Sequence, residues 1–490
     1  LFIHYIFQEG VSMFEKFFKL KENGSDVKTE LIAGLTTFMT MAYIIALNPN
    51  LLTGFGAEGP ELWNGVFLST CIASAIGMFC MAFLANKPFA LAPGMGLNSF
   101  FAVVVGNLVA ITGLSYLDCY QAALWIILIE GIVFIILSVL KVRQKIVEAI
   151  PLSIRMGITP AIGLMLMNIG FGSNAGIYSE TGGPFFVLRD FFGALTPSVA
   201  KDTMGSGYGM MVLTVVTMFV GIIAIVLLNH KKVKGSVLFG MLIASIVYWA
   251  GEAIFFGTNP FASLATANWL PPFKDMASTT LFKFNGTTWQ NFVNIGWFTV
   301  LTLIVTFCII DMFDTIGTLV GTAERAGMLD KDGNMPKMKE ALLSDAIGTV
   351  AGACTGTSTV TTFVESASGV EEGGRTGLTA LTTGFLFLAC MFISPIAGVI
   401  PPAATSAALI YVGVLMLCGL KNIDFSDITQ TLPVSVMLIA MPVSGSIGHG
   451  IGLGLICHTI IKVFTGKAKE VSILTYVLSL IFLVKFFLAM

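Results

Sequence analysis

A chain of 490 residues that is 56% hydrophobic and 11% charged, with mean hydropathy +0.88, is no soluble domain, in which about 25% of residues are charged; it is a polytopic membrane protein. Its net charge of −2 says little about partners, but no basic stripe with interleaved aromatics is present, which argues against nucleic acid. The eight cysteines form no CxxC pair and mostly lie in apolar runs, so they read as small core residues rather than disulfide or metal ligands, and no metal or cofactor is expected.

At the N-terminus, Met13 opens the basic amphipathic stretch MFEKFFKLKENGSDVKTE, and Leu1–Ser12 reads as upstream sequence or a miscalled start, with Met13 the native one. Apolar spans follow at Thr29–Asn50, Trp63–Ala85, Asn98–Val109, Cys119–Leu140, Pro151–Gly170, Gly209–Leu228, Ser236–Phe256, Ile295–Gly321, Ala341–Ala353, Gly377–Val399, Ala403–Gly419, Ile428–Pro442 and Gly448–Phe464. A short helix after Val364 completes about fourteen segments, each counted against the roughly 20 residues that cross a bilayer. Lysine and arginine fall in alternate connections: Lys16 to Lys28, then Lys87, then Lys141, Arg143 and Lys145, then Lys231 to Lys234, then Arg325 to Lys339. By the positive-inside rule the N-terminal segment 1–28 is cytoplasmic, and so is the region of Lys467 and Lys469. The long outer connections Phe171–Tyr208 and 257–294 read as ordered covers. The sequon at Asn285 is discounted, and Leu329–Asn334, which resembles the start of a calcium loop but lacks its glycine and closing glutamate, reads as a turn. The apolar tail 466–490 is either an interfacial or an extra helix.

Two segments are interrupted. In ALAPGMGLNSFFAVVV, Pro93, Gly94 and Gly96 oppose a helix, and Asn98 is a natural cap for a half-helix starting at Ser99. TGTSTVTTFVESASGVEEGGRTG gives the same plan of hydroxyl-rich extended chain from Thr357 to Val364, then a helix from Glu365 and Ser366, with Glu371, Glu372 and Arg375 at its cytoplasmic end. They are the third and tenth segments, at corresponding places in two sets of seven, 29–256 and 295–465. An odd number of spans per set makes the halves an inverted repeat, and paired broken segments mark a transporter site near the midplane. Acids inside spans point to the same place, because a buried charge costs about 2.5–3.5 kcal/mol there. Asp311 and Asp314 lie one turn apart on a stripe with Thr315 and Thr318; Glu130 is either a proton-path residue or a helix–helix hydrogen bond. Two carboxyls plus the Asn98 carboxamide suit a planar heterocycle carrying both donors and acceptors.

At these residues the chain resembles the AzgA-like purine permeases of the nucleobase–cation symporters, transporters of adenine, guanine and hypoxanthine. The resemblance rests on TELIAGLTTFMTMAYIIALNP (Thr29–Pro49), APGMGLNSFF (Ala92–Phe101), DMFDTIGTL (Asp311–Leu319), LLSDAIGTVAGACTGTSTVTTFVESASGV (Leu342–Val370) and GGRTGLTA (Gly373–Ala380), and runs in order from about Met13 to the end. It implies an all-α, uracil-permease-like fold of fourteen transmembrane segments in a seven-plus-seven inverted repeat. Segments 1–4 and 8–11 would form a core domain and segments 5–7 and 12–14 a gate domain. It also implies purine uptake by proton symport across the cytoplasmic membrane. Asn98, Asp311 and Glu365 fall on purine-binding positions, with Gly96 and Asp314 in support; Thr362 and Phe100 are further binding candidates, Phe101 a second candidate for stacking. Glu365, Asp311 and Asp314 are the candidates for carrying the proton. A homodimer stays open, as does the preferred purine. The alternatives are a transporter of this fold for uracil, xanthine or an anion, an intramembrane enzyme, and a channel. An anion site calls for a basic residue at the breaks, and the four histidines are scattered without an HExxH motif.

Overall fold

The computed structural model describes residues 14–54, 57–140, 151–174, 207–265, 267–330 and 335–488. Leu1–Ser12 and Met13, the cluster Lys141, Arg143 and Lys145, most of Phe171–Tyr208 and most of Leu329–Asn334 lie outside them. In chain order the principal elements are α1 (Val27–Met41), α2 (Ile44–Leu52), α3 (Pro60–Cys80), β1 (Leu91–Pro93), α4 (Met95–Thr112), α5 (Tyr116–Val139), α6 (Leu152–Ile169), α7 (Gly207–His230), α8 (Ser236–Gly251), α9 (Phe273–Thr279) and α10 (Gly286–Asn294). Then come α11 (Trp297–Arg325), α12 (Met338–Thr355), β2 (Val360–Thr362), α13 (Ser366–Glu371), α14 (Gly377–Ala389), α15 (Pro402–Leu417), α16 (Ile428–Ser444), α17 (Ile447–Phe464) and α18 (Ile473–Leu488). Among the described residues, 11 helices are long and apolar enough to cross a membrane; α12 and the 17-residue α16 are not in that set. The chain divides into two compact units, Leu1–Val147 with Leu270–Ser394, and Glu148–Trp269 with Pro395–Met490.

In the first unit α1, α5, α10 and α14 start where a short polar side chain accepts an otherwise orphaned N–H group. Asp26 accepts from the Thr29 N–H at 2.9 Å to start α1, and Ser115 does the same for α5 through Asp118 N–H. The first span is broken at Ala42–Tyr43, between α1 and α2. β1 and β2 form an antiparallel pair in the register Leu91↔Thr362, Ala92↔Thr361 and Pro93↔Val360. The pairing extends past both ends: Gly94 N–H donates to the Thr359 carbonyl (3.1 Å) and Phe363 N–H to the Ala90 carbonyl (2.9 Å), while Ala90 N–H is taken by the Ser366 hydroxyl at 2.9 Å. Extended backbone survives at membrane depth only with its polar groups met in this way. Glycines bring the neighbours close. A Cβ on Gly348 would stand 3.0 Å from Val360 Cγ1, and one on Gly352 would stand 2.6 Å from the Ser358 carbonyl oxygen.

Two expectations from sequence need correction. Helix α4, after the first break, is a full 18-residue helix rather than a half-helix, because no terminator follows until Gly113, whose φ of 69° closes it. Asn98 is not its cap. The helix opens at Gly94, whose carbonyl already accepts from Asn98 N–H at 2.8 Å, so Met95–Leu97 form its first turn. The second break keeps the short form: α13 has six residues and ends before Gly373, at φ 101°.

The turn after α13 is fastened by Glu30 of α1. Its carboxylate accepts from Arg375 N–H (2.9 Å), Thr376 N–H (3.3 Å), Thr379 N–H (3.2 Å) and the Thr379 hydroxyl (2.5 Å), and Glu30 is 0% exposed. The same turn holds Arg375, which donates to the Val370 and Gly374 carbonyls at 2.7 Å each. Removing such an acceptor leaves buried donors unmet, at about 1–3 kcal/mol apiece. Glu30→Ala is therefore expected to destabilise the first unit by at least about 2 kcal/mol, read as a lower melting temperature and faster proteolysis at 372–376; unchanged melting and cleavage would contradict this.

The connection before α11 is ordered in its described part: Asn64 donates to Asp275 at 2.7 Å and Trp289 packs on Trp125 with centroids 4.9 Å apart. Asn285 closes a capping box with Thr288 at the start of α10. In the second unit α6 and α15 cross glycine to glycine, a Cβ on Gly163 or on Gly413 meeting the other's carbonyl oxygen at 2.6 Å. The C-terminal tail folds onto α17. Phe482 lies over Gly452, with 2.8 Å to a Cβ placed there, the Thr459 and Ser479 hydroxyls are 2.8 Å apart, and the apolar part of α18, Ile473–Val484, is shorter than a span.

Candidate functional site

All the polar groups singled out in the sequence belong to the first unit, and the residues around β2 tie most of them together. Alternate strand residues face opposite sides, and the positions around β2 serve four helices, α2, α4, α5 and α11. Ser358 donates to the Asn98 Oδ1 of α4. Thr359 donates to Glu130 Oε2 of α5 at 2.8 Å, and the Thr361 hydroxyl lies 2.7 Å from that of Thr315 on α11. Asn48 of α2 donates to the Thr357 hydroxyl at 2.9 Å and the Thr70 hydroxyl at 2.8 Å. Tyr120 of α5 donates to the Gly356 carbonyl at 3.0 Å.

Glu365 stands between β2 and α13 without capping its helix by its side chain. Its Oε1 accepts from the Tyr43 hydroxyl at 2.7 Å, and Tyr43 comes from the break between α1 and α2. Among the described residues its Oε2 is buried without a hydrogen-bond partner, and so is the hydroxyl of Thr362 three residues before it. A buried acceptor left unmet costs about 1–3 kcal/mol, more when charged, so an N–H donor brought to this pair would relieve that cost.

Asp311 is 0% exposed and accepts from the Thr315 hydroxyl at 3.0 Å. Asp314, one turn on, is half-buried, and its Oδ2 would lie 3.5 Å from a Cβ on Gly94, which Thr361 Cγ2 would crowd at 2.5 Å. Gly96 is buried in the first turn of α4. The carboxamide of Asn98 is engaged inside the scaffold, its Nδ2 donating to the Pro93 carbonyl at 3.1 Å. Phe100 packs on Phe307 (centroids 4.6 Å apart) and Phe101 on Tyr120 (5.1 Å). Glu130, left open between two roles, makes the helix-to-strand bond to Thr359.

Two residues at this place were not singled out in the sequence. Asp345 of α12, also 0% exposed, lies 3.0 Å from the Thr315 hydroxyl through each of its carboxyl oxygens. It carried the same signal as Asp311, an acid within an apolar segment. Tyr43 carried none, since a tyrosine among apolar residues is ordinary core material.

The sequence profile of the Permease family matches residues 28–444. The adenine permease AdeP of Escherichia coli is 35% identical to the chain over 97% of its length and 96% of that of the relative. The guanine/hypoxanthine permease PbuG of Bacillus subtilis is 36% identical, over 96% of the chain and 98% of the relative. Among solved structures, the transmembrane domain of a cyanobacterium bicarbonate transporter, BicA, superposes with a TM-score of 0.59 at 15% identity, covering 86% of the chain and 97% of that domain. The murine anion transporter Slc26a9 in its inward-facing state gives 0.56 at 12% identity, covering 89% of the chain and 68% of that structure.

Proposed function

The chain belongs to the Permease family, and from that membership we propose that it takes up purine nucleobases, adenine, guanine or hypoxanthine, across the cytoplasmic membrane by proton symport and alternating access. The observation that carries the reading is the pair of buried, unmet oxygens of Glu365 and Thr362, at a break in the chain with the Tyr43 hydroxyl beside them. A neutral purine offers ring and exocyclic N–H groups to such acceptors and ring nitrogens to a hydroxyl donor. Glu365 is the principal contact. Asp311, Asp314, Gly96 and Phe100 shape the surroundings, and Asn98 acts by holding Ser358 and the strand. The unit Leu1–Val147 with Leu270–Ser394 then serves as the core domain and the other unit as the gate, with the N-terminus cytoplasmic by its lysines.

Names of relatives that carry adenine or guanine and hypoxanthine support the substrate class. The bicarbonate transporter contributes the fold alone. An anion would meet Glu365 at the second break and Asp314 of α11 beside Gly94 at the first, which favours the neutral heterocycle.

Uptake of labelled adenine, guanine and hypoxanthine by cells lacking their own permeases, with unlabelled competitors and a protonophore, tests the reading. Accumulation of at least one purine, competed by the others and abolished by the protonophore, is expected. No purine uptake by the intact chain sinks it.

A further inference from the structure

We propose that Asp345 joins Asp311 in holding the transported proton, the two carboxyls sharing it through the hydroxyl of Thr315. This deepens the symport reading and rests on it. Thr315 Oγ1 lies 3.0 Å from Asp311 Oδ1, 3.0 Å from each carboxyl oxygen of Asp345 and 2.7 Å from Thr361 Oγ1. A hydroxyl has one hydrogen to give and two lone pairs to receive with. It can donate to one of the carboxyls, not to both. With Asp311 and Asp345 both ionised, one carboxylate oxygen would press its lone pairs against those of the hydroxyl, in a place where Asp311, Thr315, Asp345 and Thr361 are 0%, 0%, 0% and 1% exposed.

One added proton removes the conflict. A neutral Asp345 donates to Thr315, Thr315 donates to Asp311, and Thr361 donates to the remaining lone pair of Thr315. The mirror arrangement has the proton on Asp311 and the Thr315 hydrogen turned to Asp345. The two differ by a proton position and a hydroxyl rotation, and the net charge of the pair is one negative in both. Losing the proton restores two like charges in a dry setting, which is costly.

The ionisable groups within the apolar stretches packed around the pair are Asp314 and Cys308 on α11, Cys354 on α12, Glu130, Cys119, Tyr116 and Tyr120 on α5, Cys71 and Cys80 on α3 and Glu365 ahead of α13; Glu61, Asp118, Lys339, Glu340 and Glu371 lie at helix ends. Glu130 is engaged by Thr359 and Glu365 by Tyr43. The connection to substrate runs along β2. Thr361 completes the hydrogen-bond set of Thr315, its neighbour Thr362 carries an unmet hydroxyl, and Glu365 stands three residues on. A purine held by Thr362 and Glu365 acts on the strand that decides how the proton is shared.

The test uses the purified full chain in lipid vesicles and a labelled purine carried by the wild type. Accumulation driven by an imposed pH gradient is compared with counterflow, which exchanges purine without net proton movement. Asp345→Asn is expected to lower gradient-driven accumulation by about tenfold or more, equivalent to about one unit in a protonation equilibrium, while counterflow persists. Thr315→Val should behave the same way; Thr315→Ser, which keeps the hydroxyl, should retain both activities. An Asp345→Asn protein that still accumulates purine on the gradient overturns the inference with symport intact. Should that variant not reach the membrane, Thr315→Ser and Thr315→Val decide, and equal behaviour of the two overturns it. A wild type that carries purine but ignores the gradient refutes the symport reading itself.

Discussion

Glu365→Ala is expected to abolish purine uptake while leaving the protein folded and in the membrane. The side chain is half-buried and among the described residues makes one internal bond, from Tyr43 at 2.7 Å, so its loss removes little scaffold. What it removes is the unmet oxygen offered to the ligand. A hydrogen bond to a charged group contributes about 1.5–3 kcal/mol, and each 1.4 kcal/mol is about tenfold in affinity, so the contact alone accounts for about 10–150-fold. Glu365→Gln should be nearly as damaging. If its carbonyl keeps the Tyr43 bond, its NH2 group faces the ligand and sets donor against donor. Tyr43→Phe should cost less, because it leaves both carboxylate oxygens able to accept. Uptake rates normalised to the amount of protein in the membrane measure all three; undiminished uptake by the alanine variant removes Glu365 from the site.

Gly356→Ala is expected to be among the most destabilising single substitutions in the chain. Gly356 closes α12 at φ 106°, a conformation that costs a residue with a Cβ about 1–3 kcal/mol. The added carbon would also stand 2.1 Å from Thr280 Cβ, and overpacking of this sort adds about 1–3 kcal/mol. The sum is about 2–6 kcal/mol, with the melting temperature of the detergent-purified protein as the readout. Thr280→Gly in the same chain should recover part of the loss, since it removes the obstructing carbon but not the backbone strain. The effect should reach transport as well, because Tyr120 holds the Gly356 carbonyl and the hydroxyl-bearing segment that leads into β2 begins at the next residue. A Gly356→Ala protein that melts like the wild type would show that this turn can move aside.

Glu365 and Asp311 were legible in the sequence because an acid inside an apolar stretch has few structural explanations. Pro93, Gly94 and Gly356 were legible as interruptions because helices exclude them. The strand pairing was implicit in two extended segments of matching place, though its register was not, since three-residue strands offer too little alternation to read. Asn98 looked like a helix cap because its residue type favours that role, yet the helix had already begun at Gly94. Its amide was needed instead by Ser358, 260 residues away. Tyr43 acts through such a distant partner too, and became visible only when the break in the first span faced Glu365. Thr315, already read on the Asp311 stripe, showed its second partner only when α11 and α12 came together around Asp345.

An antiparallel pair such as β1 and β2, whose middle residues are Ala92 and Thr361, has a local two-fold axis between them, so half a turn carries Leu91–Pro93 onto Val360–Thr362. The backbone obeys that symmetry and the side chains do not. One strand is Leu-Ala-Pro, the other Val-Thr-Thr, and Asp311, Asp314, Asp345 and Glu365 all come from one half of the chain. A flat, asymmetric molecule bound there must lie off the axis, toward the threonine strand. Its two faces would then meet different chemistry even though the two strand backbones are related by the axis.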